Sequence, residues 1–207
     1  MPPFFEFFLF FSFLYVPTHW PSMAAAALAL YVLANGRRFP WLFAGLGGFL
    51  LGQLLGATVL SDWTVVPVFG LSASLGVALS ALALVAERPV VILAAFLGVG
   101  FLAFTVCRIA GVSGPWDMMA FVCAGTLAVA AFFNSFERAL AISSVLSAAG
   151  AIAATVPVWF QFVQLWGGWP ALVVAAIATV VGLVHQSREL PASASAPMTK
   201  GVVSGAG

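Results

Sequence analysis

The sequence predicts an all-α integral membrane protein with seven transmembrane helices, and two observations carry this prediction. Hydrophobic residues make up 63% of the 207-residue chain and charged residues only 6%, whereas soluble domains carry roughly 25% charge. A surface so poor in charge would not stay dissolved in water, so lipid must be the solvent for most of it. The apolar residues also form continuous runs of about 20 residues without strict alternation, as in helices that cross a bilayer.

Charged residues, turn residues and prolines divide the chain into seven apolar runs. Several runs begin with proline, which the first helical turn accommodates because the missing N–H would have no partner there. The first and last runs are short, so we expect their ends to extend slightly or the bilayer to adapt. The predicted helices are residues 21–35, 40–60, 67–86, 89–110, 116–133, 139–158 and 170–185.

Arginines recur at intervals of 50 residues, between the predicted helices and after the last one. Together with Arg37 and Lys200 they lie on one side of the predicted membrane, and the connections on the other side hold no lysine or arginine. Basic residues mark the cytoplasmic face, so the sequence predicts the N-terminus outside and the C-terminus inside. The interval is then the length of one helical hairpin. The four arginines are Arg38, Arg88, Arg138 and Arg188.

Small residues recur with the arginines, which favours an internal repeat. Small side chains let helix backbones approach closely, and such packing drives helix association in lipid. On the second predicted helix, Gly48, Gly52 and Gly56 follow one another at a spacing of four. We expect this row to pack against another helix of the same chain, with homodimerisation as the alternative.

Three regions are expected along the chain. Residues 1–20 form an apolar, aromatic-rich segment that lies in the membrane interface or packs against the bundle. Residues 21–189 form the seven-helix transmembrane domain. Residues 190–207 are rich in Ala, Ser, Gly and Pro and lack periodicity, so we expect a flexible cytoplasmic tail.

The sequence lacks the residue patterns of most membrane chemistry. A retinal Schiff base needs a buried lysine, and the single lysine is Lys200 in the tail. His19 and His185 lie near the two membrane boundaries rather than at its centre, and no Cys/His cluster has metal-ligand spacing. We therefore expect no catalytic residues, no metal and no cofactor, and hence no enzyme. A net charge of +1 also gives no basic patch for a nucleic-acid partner.

Polar groups inside the bilayer are the candidates for function because they are expensive there. Gln53 lies in the middle of the second helix, where its side chain either forms a hydrogen bond to another helix or donates one to a substrate. Arg108 lies near the outer end of the fourth helix, where it either snorkels, pairs with Asp117, or faces a cavity that takes a polar substrate. We expect the serines of the third and sixth helices to be small packing residues.

The arrangement resembles a known superfamily. The runs LANGRRFPWLFAGLGGFLLGQLLG and FFNSFERALAISSV are similar to the YgjV-type bacterial inner-membrane proteins of the PQ-loop/SWEET-like superfamily. The 50-residue interval also resembles other seven-helix bacterial proteins with glycine-rich hairpins and basic turns. The first resemblance implies a pseudo-repeat of triple-helix bundles, in which helices one to three repeat as five to seven with helix four as the linker. It also implies a substrate site between the halves, near Gln53.

Two functions of different classes follow. The first is facilitative transport of a small neutral or weakly polar solute in the bacterial inner membrane. The second is the role of a non-catalytic accessory or scaffold subunit. Its partners would be the lipid bilayer and either a second copy of the chain, in a homodimer, or the other subunits of a larger membrane complex. Transport predicts a water-accessible cavity at Gln53 or Arg108. A scaffold predicts a closed bundle of packed small residues with an exposed apolar groove.

Overall fold

A computed structural model of the chain describes residues 23–59, 65–112, 114–159 and 168–188, and seven helices occupy these residues without any strand. They agree with the seven predicted apolar runs to within a few residues at most ends. The last helix is longer than the predicted run 170–185. The prediction ended it at His185, whereas the helix continues to Arg188. The helices are α1 (Met23–Asn35), α2 (Pro40–Thr58), α3 (Val65–Val85), α4 (Glu87–Ile109), α5 (Pro115–Phe132), α6 (Phe136–Trp159) and α7 (Trp169–Arg188).

Five of these helices, α3 to α7, are long and apolar enough to cross a membrane. Helix α1 spans 13 residues in the described part of the chain, or about 20 Å at the rise of an α-helix, against a hydrocarbon core of about 30 Å. Length and composition therefore agree with a membrane-embedded helical protein. The predicted interfacial segment, residues 1–20, and the predicted tail, residues 190–207, lie outside the described residues.

Turns of few residues join several helices, and one of them depends on glycine. Between α4 and α5, Gly111 has φ 78° and Gly114 has φ 89°, in the left-handed region that a side chain disfavours. Pro115 follows as the first residue of α5, where its fixed φ suits the start of a helix. The pair of glycines lets the chain reverse direction here, so that α5 packs back along α4.

Helices α2, α4 and α6 form the interior of the bundle, and α3, α5 and α7 lie outside them. Helix α4 packs against both α2 and α6, while α3 covers α2, α5 covers α4 and α7 covers α6. The interior helices supply fully buried side chains, among them Phe43, Val91 and Val145. The outer helices expose large apolar side chains such as Leu84 and Leu127, as helices facing lipid do.

Small residues set the distance between the interior helices. A Cβ atom placed on Gly47 of α2 would lie 2.8 Å from the Cβ of Ala94 on α4. One placed on Gly98 of α4 would lie 2.5 Å from the Cβ of Ser147 on α6. Both distances are below van der Waals contact, so the helix backbones touch at these positions.

We expect Gly98→Ala to destabilise the protein by about 1–3 kcal/mol, because the added methyl group must push α4 away from α6. Gly70→Ala on α3 is the matched control, since nothing lies within 4 Å of a Cβ there. That control should be neutral or stabilising by up to about 1 kcal/mol, because alanine is the better helix former. Thermal unfolding of both variants in the same detergent measures the difference, and equal melting temperatures would contradict this account of the interior.

Candidate functional site

Gln53 forms a hydrogen bond between two helices. Its Nε2 donates to the Oγ of Ser72 on α3 at 3.0 Å, and Ser72 Oγ in turn donates to the carbonyl oxygen of Val68 at 2.7 Å. Ser72 is fully buried and Gln53 partly so. The Gln53 amide thus joins α2 to α3, and Ser72 is a hydrogen-bonding residue as well as a small packing residue.

Arg108 and Asp117 face each other across the α4–α5 turn. Arg108 Nε lies 3.9 Å from Asp117 Oδ2, with side chains 49% and 6% exposed respectively. The guanidinium carbon of Arg108 also lies 5.3 Å from the centre of the Phe104 ring. Asp117 occupies the first turn of α5, where the helix dipole favours a negative charge. The arginine, the ring and the helix end together accommodate a buried carboxylate at the end of the bundle.

The row of glycines on α2 is occupied by α3. A Cβ atom on Gly48 would meet the backbone of Leu75, one on Gly52 would meet Ser72, and one on Gly56 would meet the side chain of Val68. This row therefore packs within the chain, and in this fold it offers no surface to a second copy.

Gln186 is a buried polar residue that the sequence analysis missed. Its side chain lies between α1, α6 and α7 and is 2% exposed. Nε2 donates to the carbonyl oxygen of Leu33 at 2.9 Å and to Ser144 Oγ at 3.3 Å. The last predicted helix ended at His185, one residue before Gln186, so Gln186 was not among the candidate polar residues. The sequence does hold a sign that Gln186 is buried. It lies on the same face of α7 as the small residues Ala175 and Gly182, which are also buried.

Charged residues gather around a cavity at the end of the bundle where α2, α4 and α6 begin. The cavity has a volume of about 510 Å³. Arg37 Nη2 lies 3.0 Å from Glu137 Oε2, which ties the start of α2 to the start of α6. The ionisable residues that line the cavity are Arg37, Arg38, Glu87, Arg88 and Glu137.

An apolar groove of about 470 Å³ lies between α1, α2 and α3. Leu28, Trp41 and Phe49 are among the residues that line it. Gly45 and Gly76 also border it, but both are buried where α2 packs against α3. Nearly all of its surface is apolar. Neither this groove nor the charged cavity is lined by Gln53, Arg108 or Asp117.

The described residues bring no group of three potential His, Cys, Asp or Glu metal ligands together. The thiols of Cys107 and Cys123 are both free, with Cys123 exposed on α5. Among those same residues, every buried side-chain nitrogen and oxygen has a hydrogen-bond partner. The polar groups inside the described bundle are therefore used by its own packing.

Gln186→Met should lower the free energy of unfolding by about 1–3 kcal/mol, because the variant keeps the side-chain volume but leaves the Leu33 carbonyl without its donor. Ser187→Ala is the control, since Ser187 is exposed and donates only to the carbonyl of Val184 on its own helix. We expect the control to stay within about 0.5 kcal/mol of the native protein. Thermal unfolding in detergent compares the two, and a neutral Gln186→Met would show that the amide contributes nothing.

The Arg108–Asp117 pair should contribute little to stability as a pair. A double-mutant cycle with Arg108→Gln and Asp117→Asn is expected to give a coupling free energy below about 1 kcal/mol, because Arg108 is half exposed and the ion pair is long. Unfolding of the two single variants and the double variant measures this value. A coupling of about 3 kcal/mol or more would instead indicate a pair shielded from solvent.

Comparison with known proteins gives no relative on which to base an assignment. No family model matches the chain, and neither a curated protein nor a solved structure does. The geometry of the bundle, the groove and the charged cavity is therefore the basis on which a function can be proposed.

Proposed function

We propose that the protein is a non-catalytic accessory or scaffold subunit of a larger membrane complex, and that the apolar groove holds a transmembrane helix of another subunit. The observation that carries the proposal is a wide apolar groove in the side of an otherwise closely packed bundle. Neither the groove nor the charged cavity reaches Gln53 or Arg108, the two residues at which transport would need a water-accessible path.

The chemistry of the groove favours a helix as its occupant. It offers almost no polar atoms, so whatever fills it within the bilayer must satisfy its own backbone hydrogen bonds, and a helix does so. Ala24, Ala25 and Ala73 line it, and small residues let a second helix approach closely. Trp41 and Phe49 provide large apolar surfaces at its sides. A lipid acyl chain is the competing occupant.

Facilitative transport of a small neutral or weakly polar solute is the second candidate. The half-exposed Arg108 beside the buried Asp117 favours it, because a charged group at the end of the bundle could attract a polar solute. The two triple-helix halves, α1–α3 and α5–α7, would then move against each other with α4 as linker. The Arg37–Glu137 pair joins the starts of α2 and α6, the two helices that this repeat would make equivalent.

The proposal places the protein in the bacterial inner membrane with its N-terminus outside and its C-terminus inside. The positive-inside rule supports this orientation, because Arg38, Arg88 and Arg138 stand at one end of the bundle, before or within the first turns of α2, α4 and α6. Membership of the PQ-loop/SWEET-like superfamily remains part of the same proposal and is supported by the similar sequence runs.

Extraction in a gentle detergent followed by mass determination of the intact particle tests the proposal. We expect an assembly with defined other chains, which is lost in Ala73→Trp because the indole fills the groove. Leu127→Trp is the matched control, since Leu127 is 72% exposed on α5, away from the groove, and should leave the assembly intact.

Three other results would contradict the accessory role. A monomer that carries only lipid would make the groove a lipid site, and a homodimer broken by Ala73→Trp would make its occupant a second copy. A monomer or dimer unaffected by Ala73→Trp would leave transport as the better candidate. Solute uptake by the native protein, Gln53→Ala and Arg108→Ala then becomes the next measurement.

A further inference from the structure

The charged cavity at the ends of α2, α4 and α6 has features of a binding site that neither candidate function uses. Three arginines and two glutamates line it. Arg37 and Glu137 pair with each other at 3.0 Å, so their charges offset one another. This leaves Arg38, Arg88 and Glu87, and therefore a net positive charge at the cavity.

Arg38 and Arg88 have no carboxylate partner among the residues that the structure describes. The guanidinium carbon of Arg88 lies 5.8 Å from the centre of the Phe136 ring on α6, and that of Arg38 lies 5.7 Å from the Phe39 ring. Contacts with a ring face leave the N–H groups at the edge of the guanidinium free to bind an anion. The Arg88–Phe136 contact also holds Arg88 against the opposite wall of the cavity.

The helix ends add to the positive potential. Helices α2 and α4 both begin at the cavity, and neither has a side-chain hydrogen bond that caps its N-terminus. The first N–H groups of a helix have no partner within the helix, and the helix dipole places a partial positive charge there. Glu87, the first residue of α4, offsets part of this charge. The two uncapped ends and the two unpaired arginines favour an anion in the cavity.

We propose that this cavity binds a phosphate group, through Arg38 and Arg88. The planar guanidinium donates paired N–H groups that match the oxygens of a phosphate. The cavity lies at the ends of α4 and α6, which are long enough to span a bilayer. In a membrane this end of the bundle would meet the phospholipid headgroups, and basic pockets between such helices bind anionic headgroups. Pro40, Phe136 and Leu140 give it an apolar wall that suits the glycerol portion of a lipid. A soluble phosphate ester offers the same chemistry, and the experiment distinguishes the two sources.

Thermal unfolding of the full chain in mild detergent tests this assignment, with phosphatidylglycerol, phosphatidylcholine and inorganic phosphate added in separate titrations. The double variant Arg38→Gln/Arg88→Gln removes both unpaired arginines. Arg138→Gln/Arg188→Gln is the matched control, because it removes the same charge from exposed arginines that do not line the cavity. We expect phosphatidylglycerol to stabilise the native protein and the control alike, and to bind Arg38→Gln/Arg88→Gln at least about tenfold more weakly.

The outcomes separate the sources and also decide the proposal. A response to phosphatidylglycerol alone, weakened only in Arg38→Gln/Arg88→Gln, identifies a lipid headgroup. A response to inorganic phosphate with the same dependence on Arg38 and Arg88 identifies a soluble phosphate ligand. Equal weakening in the two double variants would overturn the proposal, since it would show attraction to overall charge. An equal response to phosphatidylcholine and phosphatidylglycerol that is unchanged in Arg38→Gln/Arg88→Gln would overturn it as well, because both lipids carry a phosphate and neither would then need the two arginines.

Discussion

The contact of helix backbones at small residues is the constraint on which the rest of this structure depends. Lipid is as apolar as the side chains, so no hydrophobic driving force brings the helices together, and close packing must do so instead. The contacts of Gly47 with Ala94 and of Gly98 with Ser147 fix α2, α4 and α6 side by side. Larger side chains at these positions would separate the helices and open the interior. The outer helices can tolerate more variation, since most of their surface faces outward.

Close packing also decides where polar groups can lie. Ser147 Oγ donates to the carbonyl of Ser143, one turn earlier on α6, at 2.7 Å, so the hydroxyl is satisfied within its own helix while its small size lets Gly98 approach. Longer polar side chains occur where an outer or peripheral helix meets the interior. Gln53 joins α2 to α3, and Gln186 joins α7 to α1 and α6. The two amides thus fix the rotation and depth of helices that apolar packing alone would leave free to slide.

Helix positions were predictable from the sequence, whereas their partners were not. An apolar segment in lipid must satisfy its own backbone, so each apolar run marks a helix whatever it packs against. Buried and lipid-facing sides of such a helix are both apolar, so no periodicity showed that α4 is interior and α5 exterior. Gln53, Arg108 and Asp117 were recognisable as unusual polar residues, and a pair between Arg108 and Asp117 was one of the alternatives that the sequence offered. Ser72 could be placed beside Gln53 only by the fold. Gln186 was missed because His185, Ser187 and Arg188 around it resemble the start of a polar tail.

The arginines at the starts of the interior helices stand at an electrostatically unfavourable place. A cation near a helix N-terminus has the wrong sign for the helix dipole, at a cost of about 0.3–1 kcal/mol. Arg188 lies on the same predicted side of the membrane, but at the C-terminal end of α7, where a positive charge suits the helix dipole. Membrane orientation requires only that basic residues lie on one side, not that Arg37, Arg38 and Arg88 surround one cavity. Glu137 offsets Arg37, and among the described residues of the cavity Glu87 can offset only one of Arg38 and Arg88. The proposed phosphate would supply the second negative charge.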